Sequence, residues 1–481
     1  MENDDAMRDD DDARVDSCRR FVALTRAGKP AWRSGGSAEE AVTLCAVTQA
    51  MCAAAEAQGA GEFRGAEAGD ATVACATTST MVYAVSSRVG EGHPALMRQL
   101  ECVRAVMTSC VTNVALEEAL VRNPRFDVGR ALERATRAEA RLRACARGVT
   151  RETPYVFGTY RAVGLESGVR KACARALGDV TRAVSKPFAG VAFGADDGRL
   201  VTYVKPRGNR PATISPMDVI VLMNYARVMS RAEEGSATTS EEPSTSRAET
   251  FGRVCLPEFN SNGFMHAYVS HIVAHAPKNE DGEDNKNVCD ESTRTVGVCF
   301  LTASPDALEE CRAARDALEA KLNADGSLAK VAAAIRTEMR IADLPTEALG
   351  GFQAENDEPL LHFVYNRPAR HQHVSSAYAP SSSADDDVEA ITRSYASLYA
   401  AMRETVGAVD KSVRPPVEDA PQRVRYERRS RRSVLACVGG DFDIYLTLKP
   451  TTTVTTAVGL CNRLCVWLRV SEPELFLDLP L

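Results

Sequence analysis

Three kinds of catalytic signature are missing from this 481-residue sequence, and each absence removes a class of chemistry. There is no G-x-S-x-G, H-E-x-x-H or G-x-x-x-x-G-K-[ST] stretch, so no nucleophile elbow, zincin helix or P-loop is visible. A basic excess is missing too. Lys and Arg total 58 against 65 Asp and Glu, and the net charge of −7 argues against a general nucleic-acid binder, which needs cations for phosphate contacts. No uncharged apolar run approaches the roughly 20 residues needed to span a bilayer; MDVIVLMNYA at 217–226 has the length of a core helix. The start, MENDDAMRDDDDARVD, lacks the basic and apolar regions of a secretory signal. Its self-repelling acidity predicts a disordered tail over 1–17. The 15 cysteines include no Cys-x-x-Cys pair. Their odd number and dispersed spacing point to reduced thiols filling core positions in the cytosol.

What is present is the mix of a soluble globular protein, 44 % hydrophobic and 26 % charged, long enough for about two to four domains. Polar segments at 230–250, 277–287 and 380–387 read as surface loops. Between them one pattern recurs three times. The first copy has strands near 19–25 and 30–33, a helix at 38–57, strands near 61–67, 71–77 and 80–87, and a helix at 94–110. In the second, strands near 188–193 and 199–205 precede a helix at 215–230; strands near 252–257, 263–275 and 294–303 and a helix from 305 follow. The third places strands near 360–366 and 372–378, a helix at 388–406, strands near 422–427, 433–438 and 442–448, and a helix at 453–469. Each copy reads ββαβββα. The economical fold is α+β, a five-stranded antiparallel sheet with helices on its faces, three times over. A helical span at 113–184 connects the first copy to the second, giving domains at 18–184, 185–345 and 346–481.

Three of the seven histidines fall in LPEFNSNGFMHAYVSHIVAH, 256–275, close enough together to raise the question of zinc. Strand alternation answers against it. Phe264, His266, Tyr268 and Ser270 share one side, while Met265, Ala267, Val269 and His271 share the other. One tetrahedral ion could not readily take both His266 and His271. Phe264 and Tyr268 are expected to anchor the second sheet. HQH at 371–373 puts two imidazoles on one strand face, but with no cysteine or carboxylate nearby. GEG at 90–92 reads as the turn before a helix. No metal, cofactor or catalytic residue is expected.

Two features invite a binding role. In the 38–57 helix, Ser37 and Glu40 form a capping box, and 41–55 carries no charge. Ala41, Leu44, Cys45, Thr48, Met51, Cys52 and Ala55 make a sheet-facing stripe. The opposite side, Thr43, Ala46, Val47, Ala50 and Ala54, should be solvated in a lone domain, yet is small and uncharged. Either the chain is merely alanine-rich here or a partner subunit buries that side. The second feature is basic: KPRGNR at 205–210 and RVRYERRSRR at 423–432, the latter with Arg428, Arg429, Arg431 and Arg432. Such runs are solvated faces or, alternatively, contacts with an anionic membrane surface.

LPEFNSNGFMHAYVSHI closely resembles the LP-FN-GF-HAYVS signature of the Mon-one (monensin sensitivity) family of vacuolar fusion proteins. TRAGKPAWRSGGSAEEA (25–41), NPRFDVGRAL (123–132), LLHFVYNRP (360–368) and DFDIYLTLKPTTTVTTAVGLCNRLCVWLRVSEPELF (441–476) resemble further segments of that family in order. So does LVTYVKPRGNRPATISPMDVIVLMN at 200–224. Trp32 stands where the family has tyrosine, and RVRYERRSRR has no counterpart. The resemblance implies three longin (roadblock-like) domains. It also implies one half of a heterodimer with a Ccz-one-type subunit, acting as guanine-nucleotide exchange factor for a late-endosomal or vacuolar Rab-seven-type GTPase. A Rab-five-type GTPase would recruit the complex, which would sit peripherally on late-endosomal and vacuolar membrane with anionic lipid. The uncharged side of the 38–57 helix would then belong to the Rab platform, built from the first domains of both subunits. The alternative is a longin trafficking scaffold without exchange activity.

Overall fold

Short apolar runs, several of them buried on both faces, set the strands, and the chain pairs them into three sheets. A computed structural model describes residues 19–59, 61–205, 214–234, 249–274, 296–350, 359–379, 385–407 and 423–477. The expected tail at 1–17, the 277–287 insertion, most of 230–250 and of KPRGNR, and His275 lie outside the described residues. The contacts divide the chain into two compact units. One comprises Met1–Phe157, Cys255–Gly263 and Glu389–Ala408; the other comprises Gly158–Val254, Phe264–Val388 and Val409–Leu481.

The first unit holds β1 (Arg19–Thr25), β2 (Pro30–Arg33), β3 (Gly65–Ala68), β4 (Ala71–Thr77) and β5 (Met81–Ser87), in the antiparallel order β2-β1-β5-β4-β3. Helix α1 (Ala38–Ala57) crosses this sheet. Its expected capping box is present: Ser37 Oγ accepts from the Glu40 amide, and the Glu40 carboxylate accepts from the Ser37 amide, each at 3.1 Å. Those bonds hold the Glu40 pKa below the usual carboxylate range, the backbone bond from Ser37 foremost. Ala41, Cys45 and Cys52 pack on Val22, Leu24, Cys75 and Ala84 of the sheet. Helices α2 (His93–Cys110), α3 (Asn113–Arg122), α4 (Val128–Arg134), α5 (Ala138–Arg151) and α6 (Thr153–Phe157) follow. A buried knot fastens β1 to α2. Glu91 takes Arg19 Nε at 2.9 Å, Ser87 Oγ at 3.0 Å and Gln99 Nε2 at 2.9 Å. Arg19 also reaches Glu389 at 3.6 Å.

The second unit starts with β6 (Tyr160–Arg161) and α7 (Ser167–Thr181), then β7 (Pro187–Gly194), β8 (Leu200–Val204) and α8 (Pro216–Glu234). Next come β9 (Glu249–Val254), the first-unit turn α9 (Pro257–Asn260), β10 (Met265–Ile272), β11 (Val296–Thr302), α10 (Leu308–Ala324), α11 (Ser327–Arg336) and α12 (Thr346–Leu349). The second sheet runs β8-β7-β11-β10-β9, all antiparallel. The last third of the chain supplies β12 (Leu360–Arg367), β13 (Gln372–Ser375), α13 (Asp385–Gly407), β14 (Arg423–Arg428), β15 (Ser433–Val438), β16 (Asp443–Leu448) and α14 (Val454–Leu475). Its sheet has six strands, β14-β15-β16-β12-β13-β6, rather than the expected five. The extra one, β6, comes from the span read as helical. Tyr160 N donates to His371 O at 3.0 Å and Val163 N to Leu200 O at 2.8 Å, so this strap pairs with both sheets of its unit. Arg170, 5 % exposed, bolts it down through the Val201, Val163 and Glu474 carbonyls at 2.7–2.9 Å.

Candidate partner interface

The ββαβββα order gives each repeat one helix between its second and third strands: α1, α8 and α13. These three differ in what covers them. In α8 every residue from Asp218 to Ala226 is buried, a run longer than two turns, so that helix is covered all round. In α13, Ile391, Thr392, Ser394, Tyr395, Ala396 and Leu398 are buried. Tyr399 of α13 meets Phe157 edge-on at 5.3 Å, and Thr392 Oγ1 donates to the Arg151 carbonyl at 3.3 Å. Helix α1 is covered on one side alone. Thr43, Ala46, Val47, Ala50 and Ala54 are all exposed, Val47 at 53 % and neighbouring Val42 at 56 %. Met51, read as part of the inner stripe, is instead 40 % exposed, because Cys45, Thr48 and Cys52 occupy the line facing the sheet. The result is a contiguous uncharged face of more than three turns, bounded by Glu39 and Glu56.

The signature segment has a structural use. Cys255 N donates to the Ser109 carbonyl at 3.2 Å, and Asn113 N to the Ser261 carbonyl at 3.1 Å. Leu256 is 1 % exposed, so LPEFNSNG joins the end of α2 to the start of α3. Beyond it, Tyr268 is fully buried on β10. Its hydroxyl donates to Glu249 at 2.8 Å and accepts from Arg315 at 2.9 Å. Phe264, expected to share that anchoring role, is 38 % exposed because β10 begins one residue later.

The histidines stand apart. His266 faces Phe251 at 5.5 Å between ring centroids, while His271 is buried on the opposite side of β10. His371 and His373 do not share a strand face as expected. His371 occupies a turn at φ 55°, ahead of β13, and is exposed; His373 is fully buried with Nδ1 2.9 Å from Thr159 Oγ1. A local alternation rule cannot anticipate a left-handed residue before a strand. Among the described residues, no cluster of His, Cys, Asp and Glu is arranged to hold a metal ion. The thirteen described cysteines are free thiols, all buried but Cys465.

The basic run divides. Arg432 is 8 % exposed and turned inward, with bonds to the Asp387 carboxylate at 2.6 Å and carbonyl at 3.1 Å. Arg429 pairs with Glu427 at 2.8 Å, lowering that carboxyl's pKa against the opposing effect of burial. Arg428 and Arg431 are exposed, and Arg428 Nε donates to the Pro450 carbonyl at 3.0 Å. No helix among the described residues is long and apolar enough to cross a membrane.

Three family models match in order: the first longin domain of FUZ, MON1 and HPS1 over 19–141, the second over 195–318 and the third over 359–472. Each match holds most of one sheet, with β7 just ahead of the second match and β6 far ahead of the third, and the chain is a three-longin protein of the class those names define. Within that class it belongs to the MON1 family. It is 24 % identical to the vacuolar fusion protein MON1 homologue of Oryza sativa over 482 residues, covering 95 % of this chain and 74 % of the relative. The Arabidopsis thaliana homologue is 24 % identical, at 98 % and 71 % coverage, and human MON1 homologue B 23 % identical, at 96 % and 76 %.

Proposed function

We propose that this chain serves vacuolar fusion, the role named for its relatives, and with it vesicle traffic, as one subunit of a guanine-nucleotide exchange factor. The partner would be a Ccz-one-type subunit, the client a Rab-seven-type GTPase, and the recruiter a Rab-five-type GTPase on endosomal membrane. The observation that carries this reading is the bare outer side of α1, when the equivalent helices of the other repeats are covered. An uncharged face of that size is stable once a second subunit desolvates it.

Exchange requires no bond-making residue. A factor that binds nucleotide-free GTPase more tightly than the nucleotide-bound form must, by linkage, weaken nucleotide binding by the same ratio. Surface contacts that draw a switch segment away from magnesium provide that difference. A site of this kind is a surface, in keeping with the lack of catalytic motifs in the sequence. The decisive test is release of labelled GDP from a panel of Rabs by the purified heterodimer. Faster release from the Rab-seven type by the heterodimer, and not by this chain alone, is the expected result. No acceleration on any Rab would leave a longin scaffold without exchange activity.

A further inference from the structure

The hairpin formed by β14 and β15 ends in an exposed serine set between arginines. Strand pairing stops at Arg428 and Ser433, and the Arg429 amide donates to the Arg432 carbonyl at 2.9 Å, which leaves Ser430 and Arg431 at the tip. Ser430 is exposed, and its hydroxyl makes no hydrogen bond among the described residues. Strand β14 is the last of its sheet, so the chain leading to Ser430 is extended and open along one edge. An enzyme cleft that takes extended peptide can reach it there.

The charges around the tip are unevenly matched. Glu427 holds both Arg425 and Arg429 at 2.8 Å, and Asp387 holds Arg432 at 2.6 Å. Arg428 and Arg431, which stand on either side of Ser430, are exposed and form no ion pair among the described residues. Two open guanidiniums thus flank one free hydroxyl. A kinase that lines its substrate cleft with carboxylates reads that charge pattern, and one built for acidic flanks is repelled by it. The same surroundings suit the product. A phosphoserine carries nearly two negative charges at about pH 7 and three acceptor oxygens, which matches the two open arginines.

We infer that Ser430 is a phosphoacceptor for an arginine-directed serine/threonine kinase, and that its phosphate is held by Arg428 and Arg431. The serine oxygen attacks the γ-phosphorus of magnesium-bound ATP. That phosphorus parts from the bridging oxygen, ADP leaves, and the hydroxyl proton passes to the kinase's carboxylate. The modified hairpin then has no open cation at its tip, so an anion that meets the basic run loses its two free contacts. The inference is independent of nucleotide exchange, since it concerns β14 and β15 rather than α1.

The test begins with the purified full chain, magnesium ATP and the catalytic fragment of protein kinase C, which favours arginine on both sides of its serine. Mass spectrometry should find one phosphate on the peptide that holds Ser430, and Ser430→Ala should lose it. Ser430 is exposed, so that variant should fold as the parent does. Casein kinase II, which reads acidic flanks, should leave Ser430 unmodified. No phosphate on Ser430, or equal labelling by both kinases, overturns the inference. Phosphorus NMR of the modified chain then reads the pairing. Free phosphoserine takes up its last proton at about pH 6. Beside two guanidiniums the midpoint should lie lower by about half a unit or more. Arg431→Ser, which keeps the arginines ahead of Ser430 for the kinase, should move it back up. A midpoint as high as that of free phosphoserine, or one that Arg431→Ser leaves unchanged, overturns the pairing.

Discussion

His362 stacks on Tyr378 with ring centroids 4.1 Å apart, and burial, aided by Arg161, holds its pKa down to about 3. His373 is shifted the same way, by burial first and then by Arg161 and His362. An unfolded histidine takes up a proton near pH 6.5. Between about 6.5 and 3 the unfolded chain therefore binds more protons than the folded one, and stability falls as pH falls through that window. His362→Phe keeps the stacked ring and removes one such site. The stability lost between pH 7.5 and 5.5 should shrink by about 1.4 kcal/mol in urea titrations of the variant. An unchanged loss would mean that His362 does not stay neutral in the folded state. Tyr268 makes a second residue-scale case. It is fully buried and its hydroxyl joins Glu249 to Arg315, so Tyr268→Ala should cost about 3–5 kcal/mol. A cost below about 1 kcal/mol would show that the second sheet does not depend on it.

Helix α1 is held to its sheet by Ala41, Cys45 and Cys52, while Val47 points away at 53 % exposure. Val47→Glu should accordingly leave the melting temperature of the isolated chain nearly unchanged. In a desolvated interface the same charge would cost several kcal/mol, so co-purification of the partner should collapse. Normal yield of the heterodimer would remove α1 from the interface. Elements of this kind were the readable part of the sequence. The α1 box at Ser37 and Glu40 depends on neighbours a few residues apart, and the strands of all three repeats stand near where alternation put them, although β3 begins at Gly65 rather than near 61. MDVIVLMNYA announced a helix without a polar side, though not what would cover it. The two-residue β6 has no period to detect and exists through pairing with His371 and Leu200, far along the chain. The left-handed residue at His371 closes a tight local turn, its amide donating to the Pro368 carbonyl at 3.1 Å, a geometry that strand alternation does not encode.

At the scale of the whole molecule, attachment to membrane needs a surface rather than a span. Arg428 and Arg431 are exposed and, unlike exposed Arg425 with its Glu427 partner, form no ion pair among the described residues, whereas changing Arg432 would break its buried pairing with Asp387. The double variant Arg428→Ser, Arg431→Ser is thus the clean test. In flotation with anionic liposomes at low salt, the heterodimer should lose about 1 kcal/mol of binding per arginine removed. That difference should fade as salt shortens the screening length toward 8 Å and below. Equal flotation at low salt would remove this run from membrane contact. The two compact units add a consequence in time. Reading from the N-terminus, the chain passes from one unit to the other five times, and the first unit is complete only at Ala408. A ribosome adding roughly 5–20 residues per second needs about 13–50 s to travel from Phe157 to that point. Throughout that interval the β1–β5 sheet and helices α2 to α6 stand without α13, and until Gly263 without LPEFNSNG as well, so nascent chains should hold an unfinished first unit that chaperones must shelter until the late segments arrive.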